Sequence, residues 1–320
     1  MQEILLPTTP LKSFLSVDTT FKPENLSGPA KMKAATEIKD IISPEVYALA
    51  VAHVNSANFG TTTSDRFKLL NQLVELIQGP FVNLTMYYQF IWLSIRASSN
   101  MLSTMKVDGE AALNKGERIE AKESLLEYAW SYINELVDFL NANSANITDV
   151  EGVGAVKLWE TSSQFTETKD LLFDGHRDFG RYYGIDNCAA FYYRCRTLIQ
   201  TIIEENVEPR NIPAVADPKL IRSLKFAIAY ETVARACSQM PVSSLPGSVR
   251  QAIDKENYGN AKEDDTVRDK IARSIFLQAE NAWAKVDTRL AEVSNDGNGN
   301  ITIVDNVPKF DETKSHASIL

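Results

Sequence analysis

The hexapeptide RASSNM at Arg96 to Met101 returns as RACSQM at Arg235 to Met240, 139 residues further along, and each closes an apolar run with helical spacing. A repeated segment constrains a fold more than any isolated motif, because each copy has to follow one plan and bury the same faces. Other matches keep the same order. Ile38, Ile41 and Ile42 read I-x-x-I-I, as do Ile199, Ile202 and Ile203. After each hexapeptide comes a short loop, LSTMKVDG or PVSSLPGS, then a long amphipathic segment, then Asn-Ile-Thr at 146–148 or 300–302. The expected organisation is an N-terminal arm over 1–12, a helical repeat over 13–150, a linker over 151–170, a second helical repeat over 171–306 and a tail over 307–320. The offset falls from 161 at the isoleucines to 139 at the hexapeptides. The first copy therefore holds the excess, in SPEVYALAVAHVNSANFGTTTSDRF. Two copies are too few for a solenoid, which needs at least about three. The expectation is two similar helical bundles packed against each other.

Within each copy the periodicity is helical. From Glu117 to Leu140, residues Leu125, Leu126, Ala129, Tyr132, Ile133, Leu136, Val137 and Leu140 recur at spacings of three and four, which lays one wide apolar stripe along a helix. NANSAN ends it, because asparagine competes for backbone hydrogen bonds and tolerates left-handed backbone. Arg268 to Val293 repeats the pattern and ends in SNDGNGN. Leu76 to Ile95 carries no formal charge, but Gly79-Pro80 and the polar Gln78, Asn83, Thr85 and Gln89 mark a buried central helix rather than a membrane span. The turn dipeptides Asp108-Gly109 and Pro246-Gly247 predict one small hairpin per copy. The fold class is thus mainly α, two tandem helical bundles, each with a small loop or hairpin element, and a C-terminal tail.

Composition bounds the partners. With 44% hydrophobic and 23% charged residues, the 320-residue chain has the balance of a soluble globular protein. A net charge of -9 opposes a broad phosphate-binding face, so no specific nucleic acid is expected. Three cysteines, Cys188, Cys195 and Cys237, form no C-x-x-C pair and indicate reduced, buried thiols. The N-terminus has no signal-peptide pattern, and neither a membrane nor a small-molecule substrate is expected.

Catalytic signatures fail one by one. His53, His176 and His316 have no second histidine at ligand spacing, and no Glu-x-x-His pair suits a di-iron bundle. Glu117, Glu120, Glu123 and Glu127, interleaved with Arg118 and Lys122, read as a solvated face. Gly152-Val153-Gly154 reads as a flexible joint, and Asp296-Gly297-Asn298 lacks the later ligands of a calcium loop. DGHRDFG at 174–180 fuses H-R-D and D-F-G through Asp178, which a kinase keeps as two separate aspartates doing different work. That stretch instead opens the second copy: Phe179 matches Phe14, Tyr183 and Ile185 are packing residues, and Asp186-Asn187 caps a helix. No enzyme activity, cofactor or metal is expected.

The stretches SFLSVDTTFKPENL, RASSNM, SYINELVDFLNAN and LWETSSQFTETKDLLFDGHRDFGRYYGID resemble an uncharacterised family of two-copy helical proteins of Bacteroidetes phages and prophages, and more distantly phage head-tail connector proteins. The resemblance implies a non-enzymatic virion protein, assembled in the host cytoplasm, that forms a ring with copies of itself and contacts portal or tail components. The arms expected to reach neighbours are Met1 to Lys12 and Val307 to Leu320, including Phe310 and Leu320; the loop tips Asp108, Gly109, Pro246 and Gly247 are secondary contacts. The alternative is a helical protein-binding module acting through the arginines and tyrosines at 177–196, with Arg177, Arg181, Tyr182 and Tyr183 foremost.

Overall fold

A computed structural model describes residues 3–15, 22–93, 95–98, 101–104, 115–152, 154–169, 171–186, 188–212, 217–256 and 264–296. The described residues are mainly helical. In the first half these are α1 (Gly28–Ile42), α2 (Pro44–Val54), α3 (Asp65–Leu93) and α4 (Lys115–Ala142). Four short helices come next: α5 (Ser163–Lys169), α6 (Gly175–Gly180), α7 (Ala189–Arg194) and α8 (Arg196–Ile202). The second half closes with α9 (Pro218–Gln239), α10 (Gly247–Glu256) and α11 (Asp264–Asp296). No described helix is long and apolar enough to cross a membrane.

The long helices form where the apolar spacing predicts. In α1, Ala30, Ala34, Ile38, Ile41 and Ile42 are buried in a stripe at three- and four-residue steps. Ser43 then turns the chain with φ 77°, and its hydroxyl accepts from Val46 N–H at 3.2 Å, capping α2 ahead of Pro44. Leu126, Ala129, Trp130, Ile133, Leu136, Val137 and Leu140 line the buried side of α4. Ala272, Ile275, Ala279, Trp283 and Val286 do the same on α11.

The proposed copies bring α1 opposite α8, α3 opposite α9 and α4 opposite α11. In each half the two long helices form the most extensive helix contact, α3 on α4 and α9 on α11. Ile38, Ile41 and Ile42 are buried, as are Ile199 and Ile202, with Ile203 partly so. The sequences around Trp130 and Trp283 also align, EYAW against ENAW. Both indoles lie beneath an arginine, Arg194 at 4.9 Å from the Trp130 ring and Arg210 at 4.7 Å from the Trp283 ring. Arg194 comes from the opposite half, whereas Arg210 comes from the same half as its tryptophan. Equivalent places are thus covered by different partners.

Three sequence expectations need correction. RASSNM does not close a helix: it lies across an antiparallel pair, β1 (Ile95–Ser98) and β2 (Met101–Thr104), with Ile95 opposite Thr104. RACSQM instead continues α9 to Gln239, and Met240, extended at φ -101° and ψ 153°, stops it before Pro241, which disfavours helix in the preceding residue. The hairpin expected at Pro246-Gly247 is absent from the described residues there, where Gly247 opens α10. The segment 151–170 is no loose linker, since it holds α5 and the fully buried Trp159, whose indole N–H donates to Asn141 Oδ1 at 2.9 Å. Its ring meets Phe165 and Tyr193, so one hydrophobic cluster runs unbroken through both halves.

The Gly152–Gly154 turn is likewise pinned. Both glycines need their φ of 107° and 92°, which side chains rarely adopt. The turn is closed by an antiparallel bridge between Thr148 and Lys157, and Arg66 donates to the carbonyls of Thr148 at 2.9 Å, Asp149 at 3.3 Å and Val150 at 3.3 Å. Replacing Arg66 by alanine is expected to cost about 1 kcal/mol, because only charge-assisted hydrogen bonds at a partly exposed site are lost. Hydrogen exchange should then quicken at 148–157 before it does in α3; equal protection in both proteins would refute the pin.

Candidate functional site

Charged side chains gather in two kinds of place, a buried seam between the halves and an open cleft beside α6. At the seam, Arg194 of α7 reaches across to α1, where its Nη2 donates to Glu37 Oε2 at 3.0 Å, and its Nη1 donates to Ser244 at 3.0 Å. Tyr88 of α3 donates its hydroxyl to the other oxygen of Glu37. Nearby, Arg250 of α10, only 3% exposed, donates from Nε to Glu123 Oε2 of α4 at 2.9 Å and from Nη1 to Leu245 O at 2.8 Å. Burial, reinforced by Glu123, raises the Tyr87 hydroxyl to about 12, and burial with Glu37 raises that of Tyr88 further. Both phenols stay protonated at neutral pH. Arginine suits this seam because it stays charged when desolvated and its planar fork meets several acceptors at once. Glu123 is therefore not part of a purely solvated face. It serves the junction, and the spacing along α4 gives no sign of that.

A buried carboxylate knots the C-terminal half. Glu231 of α9 accepts from Arg235 Nε at 3.0 Å, from Trp283 Nε1 at 2.6 Å and from Asn206 Nδ2 at 3.3 and 3.2 Å. Asn206 sits on a π-helical turn over Ile203–Val207. Arg235 also pairs with Glu205 at 2.6 Å. Every oxygen of Glu231 is occupied, which makes the group a structural tie with no free face for chemistry.

The kinase-like stretch folds into α6 and has a structural use as well. Asp178 accepts from Lys225 Nζ of α9 at 2.6 Å and from the Asp174 N–H at 3.2 Å, and Lys225 lies 5.8 and 5.7 Å from the rings of Phe173 and Tyr182. The lysine and the hydrogen bonds lower the Asp178 pKa against the opposing effect of burial. Phe179 is fully buried against Phe173 and Tyr192. Ile185 is fully buried too, as expected of a packing residue. Asp186 does not cap the helix that comes after it. Cys188 takes that place, its sulfur accepting from Phe191 N–H at 3.4 Å. Asp186, with φ 54°, turns instead to α10, where its carboxylate accepts from Ser248 N–H at 3.3 Å.

Of the residues expected to meet partners, Tyr182 packs edge-on against Phe226 at 5.1 Å and Tyr183 against Tyr230 at 5.1 Å. Both tyrosines are half-buried and committed to the core. Pro246 is buried and Gly247 half-buried. Arg177 and Arg181 do remain exposed, at 69% and 79% of their side chains. Residues 3–12 form no arm leaving the body: Ile4, Leu5 and Leu11 are buried, and the Ile4 carbonyl accepts from Gln78 at 2.9 Å. Asp108, Gly109, Phe310 and Leu320 lie outside the described residues.

Where Arg177 and Arg181 emerge, an open cleft of about 480 Å³ runs between α4 and α6, lined by Asn134, His176, Arg177, Gly180 and Arg181. His176 is 4% exposed, its Nε2 has no hydrogen-bond partner, and burial lowers its pKa, so the imidazole is neutral at pH 7. Sequence reasoning gives no role to His176 because a lone histidine has no ligand spacing to read. Among the described residues, no group of three or more His, Cys, Asp or Glu side chains is placed to hold a metal ion.

A model of a family of unknown function, DUF6712, matches residues 38–154, from within α1 to the Gly152–Gly154 turn. No curated protein and no solved structure matches the chain.

Proposed function

We propose that this chain is a structural assembly protein, a duplicated helical block of the head-tail junction of a phage that joins copies of itself into a ring. The observation that carries the reading is the seam. Glu37, Glu123, Arg194, Arg250 and Trp130 are spent on locking one half to the other, with Tyr88 holding Glu37 in place, which makes a stiff block suited to work by geometry. The extent of the family match lends support to the duplication, since it runs from within α1 and stops at the turn that ends the first half. An acidic balance suits a wall beside DNA that does not grip it, because like charge disfavours adhesion. Head-to-tail contacts between identical subunits close into a ring where the rotation between neighbours closes.

The test is the state of the purified chain and its place in particles. Light scattering on a sizing column is expected to give one closed oligomer of several subunits, and mass spectrometry of purified virions a fixed copy number. A chain that stays monomeric at high concentration and is missing from particles would end the proposal. The alternative, a binding module using the Arg and Tyr cluster, draws support only from Arg177 and Arg181, since both tyrosines are committed to packing.

A further inference from the structure

The geometry points to the α4–α6 cleft as a binding site for a phosphate group. What selects the ligand is the one-sided hydrogen-bonding character of the lining. Asn134 has a single acceptor, Oδ1, and it is taken by the Ala189 N–H at 2.8 Å. That bond fixes the amide and leaves Nδ2, with two hydrogens, facing no acceptor of the described residues. Arg177 gives one Nη2 to Asp138 and keeps the rest of its fork. Arg181 approaches Asp178 Oδ1 at 3.8 Å, too long for a hydrogen bond, while Asp178 Oδ2 is held by Lys225 at 2.6 Å. His176 adds a buried imidazole whose Nε2 has no partner, the kind of group that calls for an explanation in a folded chain.

The groups that reach the open side of the cleft, two guanidiniums and the Asn134 amide N–H, are donors, and they call for a ligand made of acceptors. Phosphate is dominated by acceptor oxygens, carries charge to match two guanidinium groups, and matches the arginine fork in two-point contacts. The nearby carboxylates do not cancel this: Asp138 is engaged by Arg177, and Asp178 by Lys225 and the Asp174 N–H. The volume of about 480 Å³ exceeds one phosphate, so a phosphate carried on a larger molecule also fits. The site is separate from the seam, and it stands whether or not the chain assembles.

Inorganic phosphate is the first probe, titrated into the full-length chain by calorimetry and by the NMR signals of His176. Saturable binding at one site is expected, weakened about tenfold by Arg181→Ala and abolished by Arg177→Ala with Arg181→Ala; a tenfold change equals about 1.4 kcal/mol. Both arginines are exposed, so the variants should unfold at the temperature of the parent. AMP that binds where adenosine does not would assign the phosphate of a larger molecule as the source. Binding of inorganic phosphate without AMP would assign the free ion. No saturation by millimolar phosphate or AMP, or binding unchanged in the double variant, would overturn the proposal.

Discussion

Replacing Glu231 by alanine is expected to destabilise the chain by about 3 kcal/mol or more, as the loss of one partner from a buried ionic knot does. Glu231 is 4% exposed and takes donors from three elements: Arg235 on its own helix, Asn206 on the π-helical turn and Trp283 on α11. Its removal leaves the Trp283 N–H buried with no acceptor and costs Arg235 one of two carboxylates, the other being Glu205. A buried donor stranded in this way costs its full desolvation. Glu231→Gln keeps an acceptor oxygen and should lose less. Urea unfolding of both variants reads the difference, and equal midpoints for Glu231→Ala and the parent would show that the knot contributes nothing to stability.

Gly79→Ala is the second large change, and its sign runs against helix propensity. Alanine in place of a helical glycine ordinarily stabilises by about 1 kcal/mol. At Gly79 an added Cβ would stand 2.6 to 2.9 Å from three ring atoms of Tyr132, which packs against α3 at this point. The ring is held in turn by Phe14 at 6.4 Å, edge to face, so it has to shift as a plate and cannot swing a flexible end aside. Overpacking of this kind costs about 1–3 kcal/mol. The same substitution made in a Tyr132→Ala background should become neutral or stabilising, since the clash is gone. A thermal melt that rises for Gly79→Ala with Tyr132 in place would refute the close approach.

Much of the helical plan is legible in the residues. The long apolar stripes of α4 and α11, the uncharged central run in α3 and the isoleucine triplets all become buried faces, because three- and four-residue spacing has only one compact solution. Loops are less legible. RASSNM and RACSQM share a pattern, yet the described residues of the first lie in paired strands and the second runs on in α9 until Pro241 ends it, so the pattern alone does not fix the local structure. The seam is invisible for another reason: Glu37 and Arg194 stand 157 residues apart, and no local rule joins them. The tyrosines of the Arg and Tyr cluster pattern as surface contacts, but an aromatic ring next to an arginine is equally a core residue, and Phe226 and Tyr230 draw these two inward. His176 offers no pattern at all. It acquires meaning only once α6 is set beside Asn134 of α4.

The seam has a consequence for synthesis. Glu37, Glu123 and Trp130 are all made before residue 143, but their partners Arg194 and Arg250 emerge much later in the chain. A ribosome adds roughly 5–20 residues per second, so the first half waits on the order of ten seconds with its carboxylates and indole still facing water. During that wait the face is open to any basic surface in the cell, a guest that the second half must later displace. The order of the two halves along the gene thus sets when the block becomes inert to its surroundings, and exchanging them would leave Arg194 and Arg250 as the waiting side.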